Sequence, residues 1–381
     1  MEVLNNLWIY LQISYESLFV LIITSLSCAI IGSFLVLRKL SMVSDAISHT
    51  VLLGIVIAFL IVKDIASPFL LFGAALFGVI TVFCIELISK SGLAKNDEAV
   101  GIVFPMFFAL AVVLITKFAR NAHLDTDIVL MGEVIMAPLN RMDVFGISLP
   151  KGFVQMGVLL VVNLVFVIIF FKELKITTFD AEYAIISGFS SVVLFYALMT
   201  LSSMTAVVAF DAVGAILVVS FLITPGASAY LICKDLKKMI LVSCIYAFIN
   251  SVLGYLLSLV LNVSMSGMTA VVAGSSFFLT FLFNREGLIT SVIRRVKNSR
   301  EFRLELMTLH IGNHMGDPDE CEELGIDTIE NHLRWSRNDI EKRANKLIER
   351  GIVYINEDFK IYSLTKKGEV LYNEIRKEYG M

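Results

Sequence analysis

Apolar residues run along this chain in blocks long enough to cross a lipid bilayer. A spanning helix needs about 20 mostly apolar residues. The stretches 17–37, 42–62, 67–88, 98–118, 155–171, 188–209, 212–232, 239–261 and 267–284 each approach or exceed that length. The 188–232 stretch is one long apolar run broken by Asp211, so the pattern predicts eight or nine spans. From about residue 298 the pattern changes to short apolar periods between charged residues. There the spacing predicts a helix over 302–314, an acidic loop over 316–323, and helices over 326–333 and 337–350. Two strands, 352–355 and 360–364, follow around the turn Asn356–Phe359, and a last helix covers 366–378. Ser336 sits where an N-cap belongs. The expected fold class is an all-α polytopic membrane protein plus a small α+β domain. Its divisions are a transmembrane domain over 1–287, a basic amphipathic linker over 288–301 and a soluble domain over 302–381.

Composition agrees with this division. Of the 381 residues, 57% are hydrophobic, above the roughly 45–50% of soluble domains. The net charge of −3 decides nothing. The cysteines (Cys28, Cys84, Cys233, Cys244, Cys321) are scattered without a CxxC, which argues against a disulfide framework or zinc knuckle. The segment Met1–Ser17 has no basic region or cleavage site and reads as an interfacial lead-in. Basic residues mark every second connection: Arg38 and Lys39, Lys90 and Lys95, Lys172 and Lys175, Lys234, Lys237 and Lys238, then Arg285, Arg294 and Arg295. The positive-inside rule makes those connections cytoplasmic, with the C-terminal domain on the same side. The opposite connections are short except 118–154, interrupted at Met131–Gly132 and Ala137–Pro138, which reads as short interfacial helices on the outer face, either a docking surface for an external partner or, equally, a plain external loop.

Asp45 and His49 carry the most chemical weight. Four residues apart, they fall on one helical face one turn apart. Both are costly at membrane depth unless they pair, face water or hold an ion. The plain alternative is a buried ion pair. Two ligands do not fill a first shell, so a second protomer would supply the same pair again. Mixed oxygen and nitrogen donors suit Mn²⁺, Fe²⁺ or Zn²⁺ and argue against a thiolate site. Three further segments stand out. Asn96-Asp97-Glu98 reads as a helix start, with a gate or motor contact as the alternative. Phe179, Asp180, Glu182 and Tyr183, closed by Gly188, form a short amphipathic helix: a surface connector, or a coupling helix pressed into a moving partner. Asp211 to Gly214, with Pro225 and Gly226, marks a packing kink or a gate hinge. The chain has no GxxxxGK[ST], HExxH or GxSxG. It binds no nucleotide through a P-loop, so uphill transport would draw its energy from another subunit or an ion gradient.

These residues resemble a known family. LRKLSMVSDAISHTVLLGI is similar to the LRRMALMGDALSHAVLPGV type of signature in the zinc/manganese/iron permease family of ABC importers. DEAVGIVFPMFFALAVVL, MGEVI, FDAEYAIISG and DAVGAILVVSFLITPGASAYLI resemble further blocks of that family in order, over roughly 10–287. Thr50 stands where alanine is usual, and Leu53 where proline is common. The resemblance implies a type II ABC importer-like core of two permease protomers, identical or paralogous. It also implies cytoplasmic ATPase subunits and an extracytoplasmic metal-binding protein. By position, Asp45 and His49 match the intramembrane metal pair, and Phe179 to Gly188 the loop that contacts the ATPase.

The tail's helix–helix–helix–hairpin–helix order is the winged-helix plan. NDIEKRANKLIERGIVYINEDFKIYSLTKKGEVLYNEI resembles metal-dependent repressors of the diphtheria-toxin-repressor type. A DNA-reading role would fall to Arg337, Asn338, Lys342 and Arg343 (with Lys346). From Arg300 onward, however, 17 acidic residues outnumber 13 basic ones, and a DNA reader presents a basic face. A regulatory or dimerisation module is the favoured expectation. The acidic loop Asp317 to Glu323, with His310 and His314 nearby, is either a solvated loop or a cytoplasmic metal reporter.

The expectation is therefore a multi-pass plasma-membrane permease subunit, not an enzyme, whose substrate ion rests on Asp45 and His49 midway across. The rivals are a membrane-tethered metal-responsive transcription regulator and a permease for a metal chelate. The residues leave the metal undecided among Mn²⁺, Zn²⁺ and Fe²⁺.

Overall fold

A computed structural model describes residues 2–64, 67, 69–118, 134–144, 146–284 and 287–380. The chain divides into two compact units, Met1–Asn284 and Arg285–Met381. Among the described residues, nine helices are long and apolar enough to cross a membrane, the ninth beginning at Met265.

The first unit is built on α1 (Glu2–Leu37), α2 (Ser41–Val62), α3 (Phe69–Lys90), α4 (Asn96–Phe118) and α5 (Lys151–Ile169). Two short helices follow, α6 (Phe171–Phe179) and α7 (Ala181–Ile186), and then α8 (Ser191–Val213), α9 (Ala215–Ile232), α10 (Leu236–Leu261) and α11 (Met265–Phe283). The expected lead-in does not stand apart, because α1 runs unbroken from Glu2 and its apolar span starts at Tyr15. The long 188–232 run does split into two helices. The break lies at Gly214 (φ 86°, ψ 157°) rather than at Asp211, which stays helical. Only glycine adopts that backbone conformation readily. The described part of the 118–154 stretch between α4 and α5 is a short 3₁₀ helix (Val134–Leu139) and, where a further interfacial helix was expected, a hairpin of β1 (Arg141–Val144) and β2 (Ile147–Pro150). Gly146 turns the hairpin at φ 83°, and Arg141 holds it by donating to Ser148 Oγ (3.0 Å) and to the Ser148 carbonyl (2.6 Å). The Met131–Gly132 interruption lies outside the described residues.

Lipid supplies no hydrophobic force between helices, so small residues and polar ties set the packing. Gly54 of α2 lies against the backbone of Gly73 and Ala74 of α3, and Gly73 against Ala58. Gly32 of α1 backs onto Leu222 of α9, and Gly226 of α9 onto Ser33 of α1. Buried Asn163 of α5 donates to Ser27 Oγ of α1 (3.0 Å) and to Thr205 Oγ1 of α8 (2.9 Å), joining three helices. Thr81 of α3 donates to Thr50 of α2 at 2.8 Å.

The basic connections gather on one side of this unit. Arg38, after α1, donates to Thr177 (2.8 Å) and Thr178 (3.1 Å) of α6. Lys237 lies 5.5 Å from the Phe171 ring, and Asn284 donates to the Leu231 carbonyl. On the other side Arg141 pairs with Glu16 (2.9 Å), Lys151 with Asp211 (3.4 Å), and Ser266 donates to the Val213 carbonyl (2.9 Å).

The second unit contains α12 (Leu288–His314), α13 (Glu320–Glu323), α14 (Ile329–Leu333), α15 (Arg337–Glu349), β3 (Val353–Asn356), β4 (Ile361–Leu364) and α16 (Lys366–Glu378). Its elements follow the predicted order with three differences: the helix expected to begin at 302 begins at Leu288, the expected acidic loop 316–323 contains the short helix α13, and the helix expected over 326–333 covers only Ile329–Leu333. Ser336 accepts from Asp339 N and caps α15, and Thr365 accepts from Gly368 N and caps α16. The β3–β4 ladder runs from Val353↔Leu364 to Asn356↔Ile361. One further bridge joins Gly325 to Ile361. Met307, Ile311, Leu324, Ile329, Leu347 and Val353 are buried in one apolar cluster.

Candidate metal site

Helix α2 sets Asp45 and His49 on a common face, with His49 Nε2 3.8 Å from Asp45 Oδ1. At 1.5 Å rise per residue, they stand about 6 and 12 Å along a helix about 33 Å long. Asp45 is therefore nearer the basic α1–α2 turn than the helix midpoint, while His49 stops roughly 4–5 Å short of the midpoint expected from sequence. The His49 ring packs on Phe104 (5.0 Å) and Phe108 (5.9 Å) of α4. The aromatic wall fixes one side of the imidazole. The other side is open, with the His49 side chain 31% and the Asp45 side chain 45% exposed. Ser44 and Ser48 of the same turns are buried on the inner face, where Ser48 donates to the Ser44 carbonyl (2.9 Å). A carboxylate oxygen and an imidazole nitrogen at this spacing offer two donors to one divalent ion, and the open side leaves room for more.

The other predicted residues occupy separate places. Lys95 N donates to Glu98 Oε2 at 2.9 Å, so Asn96-Asp97-Glu98 is a helix start in which the Glu98 carboxylate satisfies the N–H just ahead of the helix. In the α6–α7 segment Asp180 caps α7 by accepting from Tyr183 N (2.9 Å), and Gly188 leaves the segment at φ 83°. Phe179, Tyr183, Ile185 and Ile186 are exposed there, beside Glu182. Asp211, at the far end of α8, pairs with Lys151 and is not brought to the Asp45–His49 pair. Gly214 forms the α8–α9 break, and Pro225 and Gly226 lie buried in α9, with Gly226 against α1.

In the second unit, Arg337 is engaged by Asp327 (2.6 Å) and Glu341 (3.5 Å). Arg343 pairs with Asp339 (3.3 Å) and stacks on Trp335 (4.7 Å). Of the proposed DNA contacts, Asn338 and Lys342 are exposed with no such ion pair among the described residues. Histidines instead converge here. Ring nitrogens of His310 and His314 and a Glu323 carboxylate oxygen all lie within 4.8 Å of one another. His332 Nδ1 is 2.9 Å from Glu323 Oε2. Burial is the largest influence on His310 and lowers its pKa below the ordinary imidazole value. Sequence spacing paired His310 and His314 with the acidic loop. His332 carried no signal of its own, because folding alone brings α14 beside α13.

Comparison with known proteins agrees with the arrangement of spans. The ABC 3 transport family matches residues 11–284. The zinc transport system membrane protein TroD of Treponema pallidum (strain Nichols) is 39% identical over 342 residues, 89% of this chain and 92% of that protein. That match is longer than the first unit and extends into the second. The manganese transport system membrane protein MntD of Bacillus subtilis (strain 168) is 39% identical over 282 residues, 74% of this chain and 95% of that protein. A solved structure, PsaBC from Streptococcus pneumoniae in complex with Fab, resembles this fold with a TM-score of 0.62 at 30% identity, covering 76% of this chain and 99% of that one. On the family match and these relatives, the chain belongs to the ABC 3 transport family.

Proposed function

We infer that this chain is the membrane-spanning permease subunit of an ATP-driven importer for a divalent transition metal such as Mn²⁺ or Zn²⁺, with Asp45 and His49 receiving the ion as substrate. The observation that carries the assignment of residues is the placement of the pair. A carboxylate and an imidazole one turn apart, partly exposed on an apolar helix, are costly unless something polar meets them. A second protomer, identical or paralogous, presenting its own pair would supply that polar surface and complete the donor set. The ion must shed water to rest there. Carboxylate charge and imidazole lone pairs replace part of its hydration, while Phe104 and Phe108 keep His49 from turning away.

Energy comes from ATPase subunits on other chains, since this sequence has no P-loop. The α6–α7 segment is the proposed contact: its exposed Phe179, Tyr183, Ile185 and Ile186 suit a hydrophobic socket, and Arg38 ties α6 to the end of α1. The basic connections shared by that side make it cytoplasmic, together with the C-terminal unit. Gly214 and the Pro225–Gly226 turn are the proposed flexing points of α8 and α9. An extracytoplasmic binding protein delivers the ion from the opposite side. The C-terminal unit is read as a winged helix that contacts protein rather than DNA, since Arg337 and Arg343 are already occupied internally.

Uptake of radiolabelled Mn²⁺ and Zn²⁺ tests the assignment, in cells depending on this importer. Asp45→Ala and His49→Ala are each expected to abolish uptake while the protein still reaches the membrane with its ATPase. Normal uptake by both variants would remove the pair from the transport path.

A further inference from the structure

We propose that the C-terminal unit holds a second divalent metal site, formed by His310 and His314 of α12 and Glu323 of α13, with His332 of α14 positioning the carboxylate. The proposal goes beyond the transport function and depends on none of its residues.

Three features support it. His310 and His314 are four apart, with ring centroids 4.9 Å apart, so both imidazoles leave one helical face side by side. Glu323 closes the triangle, every ligand atom lying within 4.8 Å of the others. Donors around a tetrahedral ion with metal–nitrogen bonds of about 2.0–2.1 Å lie roughly 3.4 Å apart. Side-chain rotations of about 1 Å therefore close the site without moving a helix. The third feature is the support behind the carboxylate. His332 Nδ1 reaches Glu323 Oε2 at 2.9 Å, and the His332 ring stacks near that of His310 at 6.4 Å. Partners of this kind orient a ligand and tune its affinity. Asp317, 3.6 Å from His314, flanks the group with further negative charge.

The donor set is two imidazoles and one carboxylate, with no thiolate. That selects a first-row divalent ion such as Mn²⁺, Fe²⁺, Co²⁺ or Zn²⁺, with one or more positions left for water. Its ligands come from the end of one long helix and from the next short helix, held by a third. Occupancy thus adds a polar link between three segments that the apolar core joins through residues such as Met307, Ile311, Leu324 and Ile329. Such a site would respond to the ion concentration around the C-terminal unit.

The test uses the full chain, purified in detergent, carrying Asp45→Ala and His49→Ala so that the transport pair is silent. Titration with Co²⁺ is expected to give one bound ion per chain, with visible d–d absorption of a nitrogen-and-oxygen-ligated centre. Adding His310→Ala and His314→Ala should remove that absorption. Glu323→Gln, which keeps the shape of the side chain, should do the same. His332→Ala should retain the ion with affinity weakened about tenfold or more. Co²⁺ binding unchanged by both the double-histidine variant and Glu323→Gln, or no absorption at any Co²⁺ concentration in the parent chain, would overturn the proposal. Uptake through a chain with intact Asp45 and His49 but altered His310 and His314 reads the transport assignment separately.

Discussion

Replacing Asn163 with alanine tests how the membrane unit is held together. The side chain is fully buried and donates to Ser27 Oγ and Thr205 Oγ1, so one amide joins α1, α5 and α8. Interhelical hydrogen bonds in membrane proteins contribute about 0.6 kcal/mol each, up to roughly 1.7. Two such bonds come to about 1.2 kcal/mol. The cavity left by the missing amide adds about 1 kcal/mol. Relief of Asn163 Oδ1, which has no hydrogen-bond partner among the described residues, offsets part of that. The expected loss is therefore about 2 kcal/mol, a shift of roughly 30-fold in the unfolding equilibrium. Unfolding in mixed detergent and SDS micelles measures it. A double-mutant cycle with Ser27→Ala isolates the α1–α5 bond, with an expected coupling of about 0.6 kcal/mol. Asn163→Ala stability within about 0.3 kcal/mol of the parent, together with strict additivity in the cycle, would refute the claim that this amide ties the helices.

Gly54→Val sets a branched side chain against the backbone of Gly73 and Ala74. It should cost about 3 kcal/mol and collapse the monodisperse peak in size-exclusion chromatography. Ile186→Asp in the α6–α7 segment should leave folding intact, since Ile186 is 83% exposed, while reducing co-purification of the ATPase. Glu301 is held below the ordinary carboxylate range chiefly by its hydrogen bonds from Arg350, at 2.8 and 2.9 Å. A depressed carboxylate pKa stabilises the fold above the unfolded value of about 4.3 and stops doing so as pH falls through the lower folded value. The pair is exposed and screened, so Glu301→Gln should cost about 0.5 kcal/mol at neutral pH. Thermal melts should show that difference shrinking below about pH 4.

The spans were legible because their signal is local. About 20 apolar residues between charged turns specify a membrane helix whatever it packs against. The Asp45–His49 pairing was legible for the same reason, since i and i+4 always share a face. What failed depended on backbone detail or on distant partners. The α8–α9 break was assigned to Asp211 by its charge, but a helix end can carry a charge, and Asp211 meets Lys151 there. Gly214 makes the break through its positive φ. In the outer stretch, expected as short interfacial helices, Gly146 and the Arg141–Ser148 bonds turn the described end into a hairpin. His332 lies 22 positions from His310 in sequence, and only the packing of α12, α13 and α14 places both near Glu323.

The most direct test of the central claim is pulsed EPR of Mn²⁺ bound to the purified permease with its ATPase, in a His310→Ala, His314→Ala background. Coupling of the ion to an imidazole nitrogen is predicted, present in this background and lost in His49→Ala. A bound Mn²⁺ whose nitrogen coupling survives His49→Ala, or that shows none with His49 intact, would contradict the account.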